Sequence, residues 1–427
     1  MKDIELFLKE HKLWTNDFDI NHIVEMFTSE MNAGLEDCES SLRMIPTYIE
    51  AENKFLTNVP VLAIDAGGTN FRAAIVKFNE QGILQISDLI NERMPGLDGV
   101  ISKEVFFQTM AAYLKYHASK ADRIGFCFSY PTEIYPNRDG KLLQFCKEVQ
   151  APGVIGRFIG KSLLETLDMT DKKIVLLNDT VATLLAGKSS SFVKTYDSYI
   201  GFILGTGTNT CYIEKNKNVL KRTELDKTKS QVINIESGNF SKAPRTDLDV
   251  LFDNTTSNPG EYTFEKMISG GYFGGLCLST LRTAAKEGFF SEDATKKLLS
   301  LSDLSSEDLN KFISKSFSGR GPLHSCMTEA QDESNAVCII ESLIDRTAKL
   351  VAANLAAVVL KSNKGKLEGS PILITIEGTT FYKLHNLQKL FEKYFRDYLS
   401  GDKKRYCEFT EVNQSSLVGA ALAGLIN

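Results

Sequence analysis

Two segments of this 427-residue chain repeat one pattern, and this repeat limits the possible folds more than any other feature. The segment LAIDAGGTNFRAAIV begins at Leu62, and the segment GFILGTGTNTCYI begins at Gly201. Each has an apolar run, a turn of Gly, Thr and Asn, and a second apolar run, which is typical of a β-hairpin. Strand-like and helical segments separate the two hairpins. The repeat therefore predicts a duplicated α/β unit whose two copies face each other across a cleft.

The rest of the chain favours alternating helices and strands. Strands are predicted at 122–131 and 172–179, the second followed by a helix that Asp179 or Thr180 is placed to cap. Further predictions are a helical start at 1–56, a helix at 104–119, loops and short strands at 216–262, a helix-rich region at 264–361, a strand entering a polar turn at 370–383, and a final helix in SSLVGAALAGLI.

Composition excludes several classes of protein. A net charge of −5 and the absence of a dense Lys/Arg stripe argue against a nucleic-acid partner. The start, MKDIELFLKEHKLW, is interrupted by charges, so we expect neither a signal peptide nor a membrane anchor. Eight scattered cysteines and five dispersed histidines form no zinc pattern. We therefore expect a cytoplasmic protein with reduced thiols.

The two Gly-rich turns are candidate phosphate sites. Successive backbone N–H groups in such a turn form a concave nest for an anion, and threonine hydroxyls add donors. D-A-G-G-T-N starts at Asp65 and G-T-G-T-N starts at Gly205, so the pair suits the two sides of an ATP tail. Asp65 ends an apolar strand, where its carboxylate suits a Mg²⁺ ion held through water. Ordinary hairpin turns are the alternative. A P-loop is absent, because Ile155 stands where G-x-x-x-x-G-K-S requires glycine before Gly160.

A kinase that acts on an alcohol needs a carboxylate to accept the hydroxyl proton. Asp179, at the end of the strand IVLLN, is the candidate, and a helix N-cap is its equally suitable alternative role. A sugar also needs polar side chains around its hydroxyls. The candidates lie in or beside apolar segments: Asn178, Asn209, Glu236 and Glu265.

These motifs, in this order and over nearly the whole chain, resemble the hexokinase family of the eukaryotic type, which includes the glucokinases. LAIDAGGTNFR is similar to the first phosphate loop of the family, FCFSYP and LLQFCK to its sugar-binding signature, and LLNDTVATLLAG to its catalytic strand. ILGTGTNTCYIE resembles the second phosphate loop, and INIESGNF and SNPGEYTFEKMISGGYFGG resemble the remaining sugar-binding stretches.

The resemblance implies a duplicated actin-like ATPase (ribonuclease H-like) fold with two lobes around a central cleft. It implies a small lobe at 57–180 plus about 413–427, and a large lobe at 1–56 plus 181–412. It also implies an enzyme that transfers the γ-phosphoryl group of ATP, with Mg²⁺, to the 6-hydroxyl of glucose or a related hexose, the first step of glycolysis.

The resemblance assigns a role to each matching residue. Asp179 matches the catalytic base, and Lys147 matches a lysine beside the sugar whose charge helps the developing phosphoryl charge. The matched sugar contacts are Ser129, Lys147, Asn178, Asp179, Asn209, Glu236 and Glu265. The matched nucleotide contacts are Asp65, Gly67, Gly68, Thr69, Asn70 and Arg72 in the first loop, Gly205, Thr206, Gly207 and Thr208 in the second, and Gly378, Thr379, Thr380, Ser415, Ser416 and Gly419 around the adenosine.

The sequence departs from the family pattern in four places. Cys146 stands where a threonine is usual, and Ser237 replaces a tryptophan, which bears on sugar preference. E-G-T-T-F-Y-K, from Glu377, is one residue longer than the usual adenosine loop, and the last helix lacks a lysine, which bears on the nucleotide. Two alternatives stay open: a catalytically weak hexose-binding sensor on the same fold, and another actin-like ATPase that hydrolyses ATP without sugar.

Overall fold

The computed structural model describes residues 2–145, 149–189, 194–314 and 321–426. Its strands are β1 (Ile45–Pro46), β2 (Val61–Gly67), β3 (Asn70–Phe78), β4 (Leu84–Arg93), β5 (Arg123–Phe128), β6 (Thr132–Ile134), β7 (Gly140–Leu142), β8 (Lys173–Leu177), β9 (Ser198–Leu204), β10 (Thr208–Lys215), β11 (Ser230–Asn234), β12 (Ile372–Glu377) and β13 (Cys407–Thr410).

The α-helices of the described residues are α1 (Ile4–Glu10), α2 (Ile20–Leu35), α3 (Lys103–Ala118), α4 (Ile159–Leu167), α5 (Asp179–Lys188), α6 (Asp247–Asp253), α7 (Thr263–Ile268), α8 (Gly270–Lys286), α9 (Glu292–Ser300), α10 (Ser306–Ile313), α11 (Pro322–Cys326), α12 (Ala330–Ser362), α13 (Thr379–Lys383), α14 (Leu387–Tyr398) and α15 (Ser415–Leu425).

Two sheets share one strand order. The first runs β4-β3-β2-β5-β8, and the second runs β11-β10-β9-β12-β13 with the short strand β1 added at its edge. In each sheet the first three strands form an antiparallel meander, and the next two join in parallel. The second sheet therefore repeats the topology of the first, and the predicted duplication is confirmed.

Both predicted hairpins are present. Strands β2 and β3 pair from Val61↔Val76 to Gly67↔Asn70, and β9 and β10 pair up to Leu204↔Thr208. Residue Gly68 has a φ of 61°, the left-handed conformation that a turn this tight requires and that glycine adopts at little cost. The glycine turns thus lie at the same end of their respective sheets, as the repeat predicts.

Helices α5 and α15 lie between the two sheets. Helix α5 packs against β9 and β12, and α15 packs against α5, β5 and β2. The N-terminal helices α1 and α2 pack against the 33-residue helix α12, far along the chain. The base candidate at the start of α5 is therefore placed at the centre of the molecule.

The structure corrects part of the sequence interpretation. The 216–262 region contains helix α6 as well as loops and strand β11, because Thr246 and Asp249 form a reciprocal capping box and the helix buries Leu248 and Phe252. The prediction that the strand within 370–383 enters a polar turn is also wrong, since β12 ends at Glu377 and α13 begins after the single residue Gly378.

None of the helices in the described part of the chain combines the length and apolar content needed to cross a membrane. The cytoplasmic location stays a prediction.

Candidate active site

A cleft of about 740 Å³ opens beside the start of α5. Nine of the residues singled out from the sequence line it: Ser129, Asn178, Asp179, Thr206, Gly207, Thr208, Asn209, Glu236 and Glu265. They come from the ends of β5, β8 and β9, from the start of β10 and from the segments after β11 and around α7. Lys147 and Cys146 lie outside the described residues. The topology thus gathers into one cavity side chains that are more than 130 residues apart in the chain.

Asp179 is the first residue of α5 and is only partly buried. The cap of this helix is the preceding residue, since the Asn178 Oδ1 accepts a hydrogen bond from the Val181 N–H at 3.0 Å. The prediction that Asp179 or Thr180 caps α5 is therefore wrong. One oxygen of Asp179 accepts the backbone N–H of Thr180 at 2.7 Å, which fixes the carboxylate at the edge of the cleft.

Three polar side chains form one network on the cleft wall. The Asn234 Nδ2 donates to Glu236 Oε1 at 2.7 Å, and the Asn209 Nδ2 donates to Asn234 Oδ1 at 2.9 Å and to Glu236 Oε1 at 3.3 Å. Glu236 has a φ of 59°, which is uncommon for a residue other than glycine and is found at functional sites. The backbone is thus bent to present this carboxylate to the cleft.

Glu265 lies on the same wall, beside the second glycine turn. Its Oε2 accepts the Thr208 N–H at 2.8 Å and would be 2.7 Å from a Cβ on Gly207, so a side chain at Gly207 would displace this carboxylate. Burial raises the pKa of Glu265 to about 7, the Thr208 hydrogen bond opposes this rise, and the charges of Glu236 and Asp179 add to it. A carboxyl group poised near neutral pH therefore faces the cavity.

The first glycine turn abuts the same cavity. A Cβ on Gly67 would meet the Ser129 Cβ at 2.9 Å, and the Tyr130 hydroxyl donates to the Gly68 carbonyl at 3.1 Å. Thr69 and Asn70 are exposed at the tip of this turn. The turn thus lies against Ser129, with its exposed tip available to a ligand.

Asp65 is buried at the base of the first turn and pairs with Arg72, whose Nε donates to Asp65 Oδ2 at 3.0 Å. Burial raises the pKa of Asp65, although the Arg72 charge opposes the rise. Within the described ranges, no cluster of three or more His, Cys, Asp or Glu side chains is arranged to hold a metal. A single carboxylate still suits Mg²⁺, because this ion retains waters and takes its other ligands from a bound nucleotide's phosphates.

The second glycine turn is wedged between two other elements. The Gly205 carbonyl accepts the N–H of Gly270, at the start of α8, and the Thr380 hydroxyl, both at 2.8 Å. Gly378 has a φ of 121°, and a Cβ there would be 2.2 Å from the Leu204 carbonyl oxygen. The predicted adenosine loop therefore touches the second phosphate turn directly, while Thr379 begins α13 behind it.

Glu377 joins the predicted nucleotide region to both helices between the sheets. Its Oε2 accepts the Thr183 hydroxyl of α5 at 3.1 Å and the Ser415 hydroxyl of α15. Burial raises the pKa of the Cys127 thiol, and the charges of Asp65, Asp179 and Glu377 add to this rise. The three carboxylates therefore all act on this one buried side chain.

The last three residues predicted to contact the nucleotide, which belong to α15, are packed against other parts of the protein. Ser415 and Ser416 are buried, and a Cβ on Gly419 would be 1.9 Å from the Ala182 carbonyl oxygen. The structure thus places Gly419 in the crossing of α15 over α5, away from the cavity wall. Ser237, which departs from the family pattern, is buried and meets Thr210 at 3.1 Å.

Sequence reasoning missed part of the cavity wall. Asn234 lies two residues before Glu236, and Tyr262 three before Glu265, so both were inside motifs already quoted. The further lining residues are Arg43, Thr47, Tyr130, Thr132, Gln144, Asn258, Glu261, Gly271 and Tyr272. Gln144 also lies inside a quoted motif, LLQFCK, whereas only the fold brings Arg43 here.

Two facing copies of one α/β unit, with a glycine turn in each and a carboxylate between them, define a phosphotransferase of the actin-like ATPase fold. Two hexokinase family profiles match residues 6–189 and 199–426. The chain therefore belongs to the hexokinase family.

Individual relatives agree with this assignment. The chain is 28% identical to hexokinase-2 of Solanum tuberosum over 98% of this chain and 90% of that one, and 28% identical to hexokinase-1 of Schizosaccharomyces pombe over 95% and 87%. The solved hexokinase from Schistosoma mansoni, complexed with glucose, shares the fold with a TM-score of 0.76 at 23% identity, covering 99% of this chain and 98% of that one.

Proposed function

We propose that the chain is an ATP-dependent hexokinase that transfers the γ-phosphoryl group of ATP to the 6-hydroxyl of glucose or a related hexose. The observation that carries this proposal is the shared cavity. Asp179, Asn209, Glu236 and Glu265 line it together with the second glycine turn, so an alcohol acceptor and a phosphate can meet beside one carboxylate.

Asp179 acts as the base that accepts the proton of the sugar hydroxyl. Its position at the start of α5, with one oxygen fixed by the Thr180 N–H, holds the carboxylate toward the cleft. Most of the rate in phosphoryl transfer comes from positioning and charge stabilisation. We therefore assign to Asp179 a proton-accepting role, and to Lys147, on the sequence resemblance alone, support of the phosphoryl charge.

Glu236, Glu265 and Asn209 orient the hexose by accepting and donating hydrogen bonds to its hydroxyls. Their mutual hydrogen bonds and the Thr208 contact leave them little freedom, which limits the entropy lost on binding. Ser129 and Asn178 complete the sugar side of the cavity.

The two glycine turns hold the ATP tail. In the first turn, exposed Thr69 and Asn70 flank Gly67 and Gly68. In the second turn the Thr208 hydroxyl donates to the Ile203 carbonyl at 2.9 Å, so only the exposed Thr206 hydroxyl is offered to phosphate. Gly378, Thr379 and Thr380 carry the adenosine, and Ser415 and Ser416 support this loop through Glu377.

Asp65 would hold Mg²⁺ through water, with Arg72 beside it. When bound, this ion neutralises the charge that develops on the phosphate oxygens.

We further propose that residues 57–180 and about 413–427 form a small lobe that closes on a large lobe formed by 1–56 and 181–412. Water competes with the sugar as a nucleophile, so a site that is completed only on sugar binding protects ATP from hydrolysis.

The test is turnover of Mg-ATP with glucose, mannose and fructose by the wild type and by Asp179→Ala, with calorimetry of glucose binding to both. We expect kcat to fall by orders of magnitude in the variant while glucose binding stays measurable. Near-normal turnover in Asp179→Ala would refute the base assignment. Glucose binding by a wild type that does not turn over would instead favour a hexose sensor.

A further inference from the structure

Behind the sugar side of the cavity lies a small network of charges between α6 and α7. The carboxylate of Asp253, the last residue of α6, is buried and accepts the Lys266 Nζ on Oδ1 at 2.6 Å and the Arg245 Nη2 on Oδ2 at 2.7 Å. Lys266 is also buried, although it directly follows Glu265. Burial acts to raise the pKa of Asp253, but hydrogen bonds from Lys266 and from the Gly260 N–H, with the charges of Lys266 and Arg245, hold it below its usual value.

The same two residues hold the chain that joins their helices, residues 254–262. The Gly260 N–H donates to Asp253 Oδ2 at 3.0 Å, and the Lys266 Nζ donates to the Asn258 carbonyl at 2.7 Å. The Thr256 hydroxyl donates to the Asp253 carbonyl at 2.7 Å. The two charged side chains thus hold the middle and the later part of this segment, at residues 258 and 260, while its start is held by the Asp253 backbone.

This segment forms part of the cavity wall through Asn258, Glu261 and Tyr262. Tyr262 has a φ of 51°, a strained conformation for an aromatic residue, and it precedes α7 directly. Burial raises the pKa of the Tyr262 hydroxyl, Arg43 opposes the rise, and the carboxylates of Glu236, Glu261 and Glu265 add to it. The segment therefore delivers an aromatic ring to the carboxylates of the sugar side.

Stability alone is a poor reason for such a network, because the desolvation of a buried ion pair offsets most of its attraction. We propose that the Asp253–Lys266 pair is a positioning unit for hexose binding, which holds the 254–262 segment so that Tyr262 forms a wall of the hexose pocket. This inference rests on the proposed function and adds a determinant of hexose affinity to it. The second glycine turn has its own contacts with α8 and α13, so the pair governs the sugar and leaves the nucleotide unaffected.

The chain offers a matched control one helical turn away. Asp249 of the same helix is buried and accepts both terminal nitrogens of Arg346, at 2.8 and 2.9 Å, but the hydrogen bonds of its carboxylate go to Thr246 and Arg346, outside the 254–262 segment. Asp253→Asn and Asp249→Asn are therefore the same chemical change at equally buried sites. In Asp253→Asn the new NH₂ group meets another hydrogen-bond donor in either orientation. In one orientation it faces the Lys266 Nζ, and in the other it faces the Gly260 N–H and the Arg245 Nη2.

The experiment measures KM for glucose and for ATP, kcat, glucose Kd by calorimetry, and Tm for both variants. We expect Asp253→Asn to raise the KM and Kd for glucose roughly tenfold or more, the effect of a lost hydrogen bond to a charged group. The KM for ATP should stay within about twofold of wild type. Asp249→Asn should lower Tm by about as much as Asp253→Asn does, but it should leave the Kd for glucose unchanged.

Tyr262→Leu tests the proposed contact between the Tyr262 ring and the hexose without changing a buried charge. Lys266→Met breaks the Asp253–Lys266 pair by removing its cation. Tyr262→Leu should weaken glucose binding at nearly constant Tm. Equal effects of Asp253→Asn and Asp249→Asn on glucose Kd, or an unchanged Kd in Tyr262→Leu, would overturn the inference. Calorimetry needs no turnover, so a wild type that binds glucose but does not phosphorylate it refutes the proposed function and still allows this test.

Discussion

Replacing Glu265 with glutamine should make the ligand-free protein more stable at pH 8 and change its stability little at pH 5. In the folded protein the pKa of Glu265 is raised from 4.5 to about 7, chiefly by burial. The folded state therefore binds the proton more tightly than the unfolded state. The stability that this proton supplies is fully present below about pH 4.5 and is lost as the pH rises through about 7.

The size of the effect follows from the two pKa values. At about 1.4 kcal/mol for each tenfold change in affinity, a rise from 4.5 to about 7 costs about 3 kcal/mol once the carboxylate is ionised. Glutamine keeps the shape and an oxygen for the Thr208 N–H, so the variant avoids this cost without orphaning a donor. For a chain of 427 residues, about 3 kcal/mol corresponds to a Tm difference of roughly 3 °C.

Differential scanning calorimetry of wild type and Glu265→Gln between pH 5 and pH 8.5 measures this difference. Glu368→Gln is the control, because it makes the same chemical change on an exposed residue. The Tm advantage of Glu265→Gln should grow between about pH 5 and pH 8, while the control stays flat. An advantage that does not change with pH would show that the ionised Glu265 is not strained by its surroundings.

The same proton should control hexose binding. A sugar hydroxyl donates its hydrogen bond to the ionised carboxylate, so glucose Kd should fall about tenfold between pH 6 and pH 8 in the wild type as Glu265 ionises. In Glu265→Gln this dependence should vanish and the affinity should be low throughout. Persistence of the full pH dependence in the variant would assign it to another group.

Two further predictions concern the nucleotide side and the end of α5. Gly378→Ala should raise the KM for ATP about tenfold or more, a loss of at least about 1.4 kcal/mol, because the new Cβ would be 2.2 Å from the Leu204 oxygen and the backbone has a φ of 121°. Gly369→Ala is the control, since its Cβ meets open space. Equal KM values for ATP in the two variants would contradict this prediction. The Lys188 ammonium donates to the Ala51 and Asn53 carbonyls, and burial lowers its pKa to about 8. Between pH 8 and pH 10.5 the unfolded state therefore binds the Lys188 proton more tightly than the folded state. Over this range the free energy of unfolding of the wild type should rise by about 3 kcal/mol relative to that of Lys188→Met. A pH-independent difference in unfolding free energy between the two would refute it.

The sequence was sufficient for the features that local chemistry controls. The hairpins were predictable because a short glycine-rich turn between two apolar runs has few other folded forms, and their repetition indicated the duplicated sheet. Polar side chains within apolar segments, such as Asn209 and Glu236, indicated a site because burying them has a cost unless they are paired. These inferences needed only neighbours within a few residues.

Features that depend on distant packing were not predictable. Glu377 meets Ser415 only because β12 ends where α15 begins, and Arg43 reaches the cavity wall only after β1 joins the second sheet. The cap of α5 was assigned one or two residues too late, since Asn178 and Asp179 are both good caps and only geometry distinguishes them. The raised pKa of Glu265 likewise depends on burial by segments from several elements.

The position of the proposed base, Asp179, also bears on how the two halves of the molecule are connected. Helix α5 is fixed to the second sheet by close backbone contacts, since a Cβ on Gly201 would be 2.5 Å from the Thr180 oxygen. Helix α15 is fixed to the first sheet in the same way, with a Cβ on Gly125 only 1.7 Å from the Ala420 oxygen. The same criterion joins the two helices to each other, since a Cβ on Gly419 would be 1.9 Å from the Ala182 oxygen, so the crossing of α15 over α5 is the close contact that connects the two sheets. That crossing is one turn from Asp179, so the proposed closure, if it rotates one sheet about the crossing, would change the distance between Asp179 and the first glycine turn, which belongs to the other sheet. Under the proposed closure of the two lobes, a kinase that must discriminate a sugar hydroxyl from water would gain from this arrangement, because the proposed base and the phosphate turn would align only on closure.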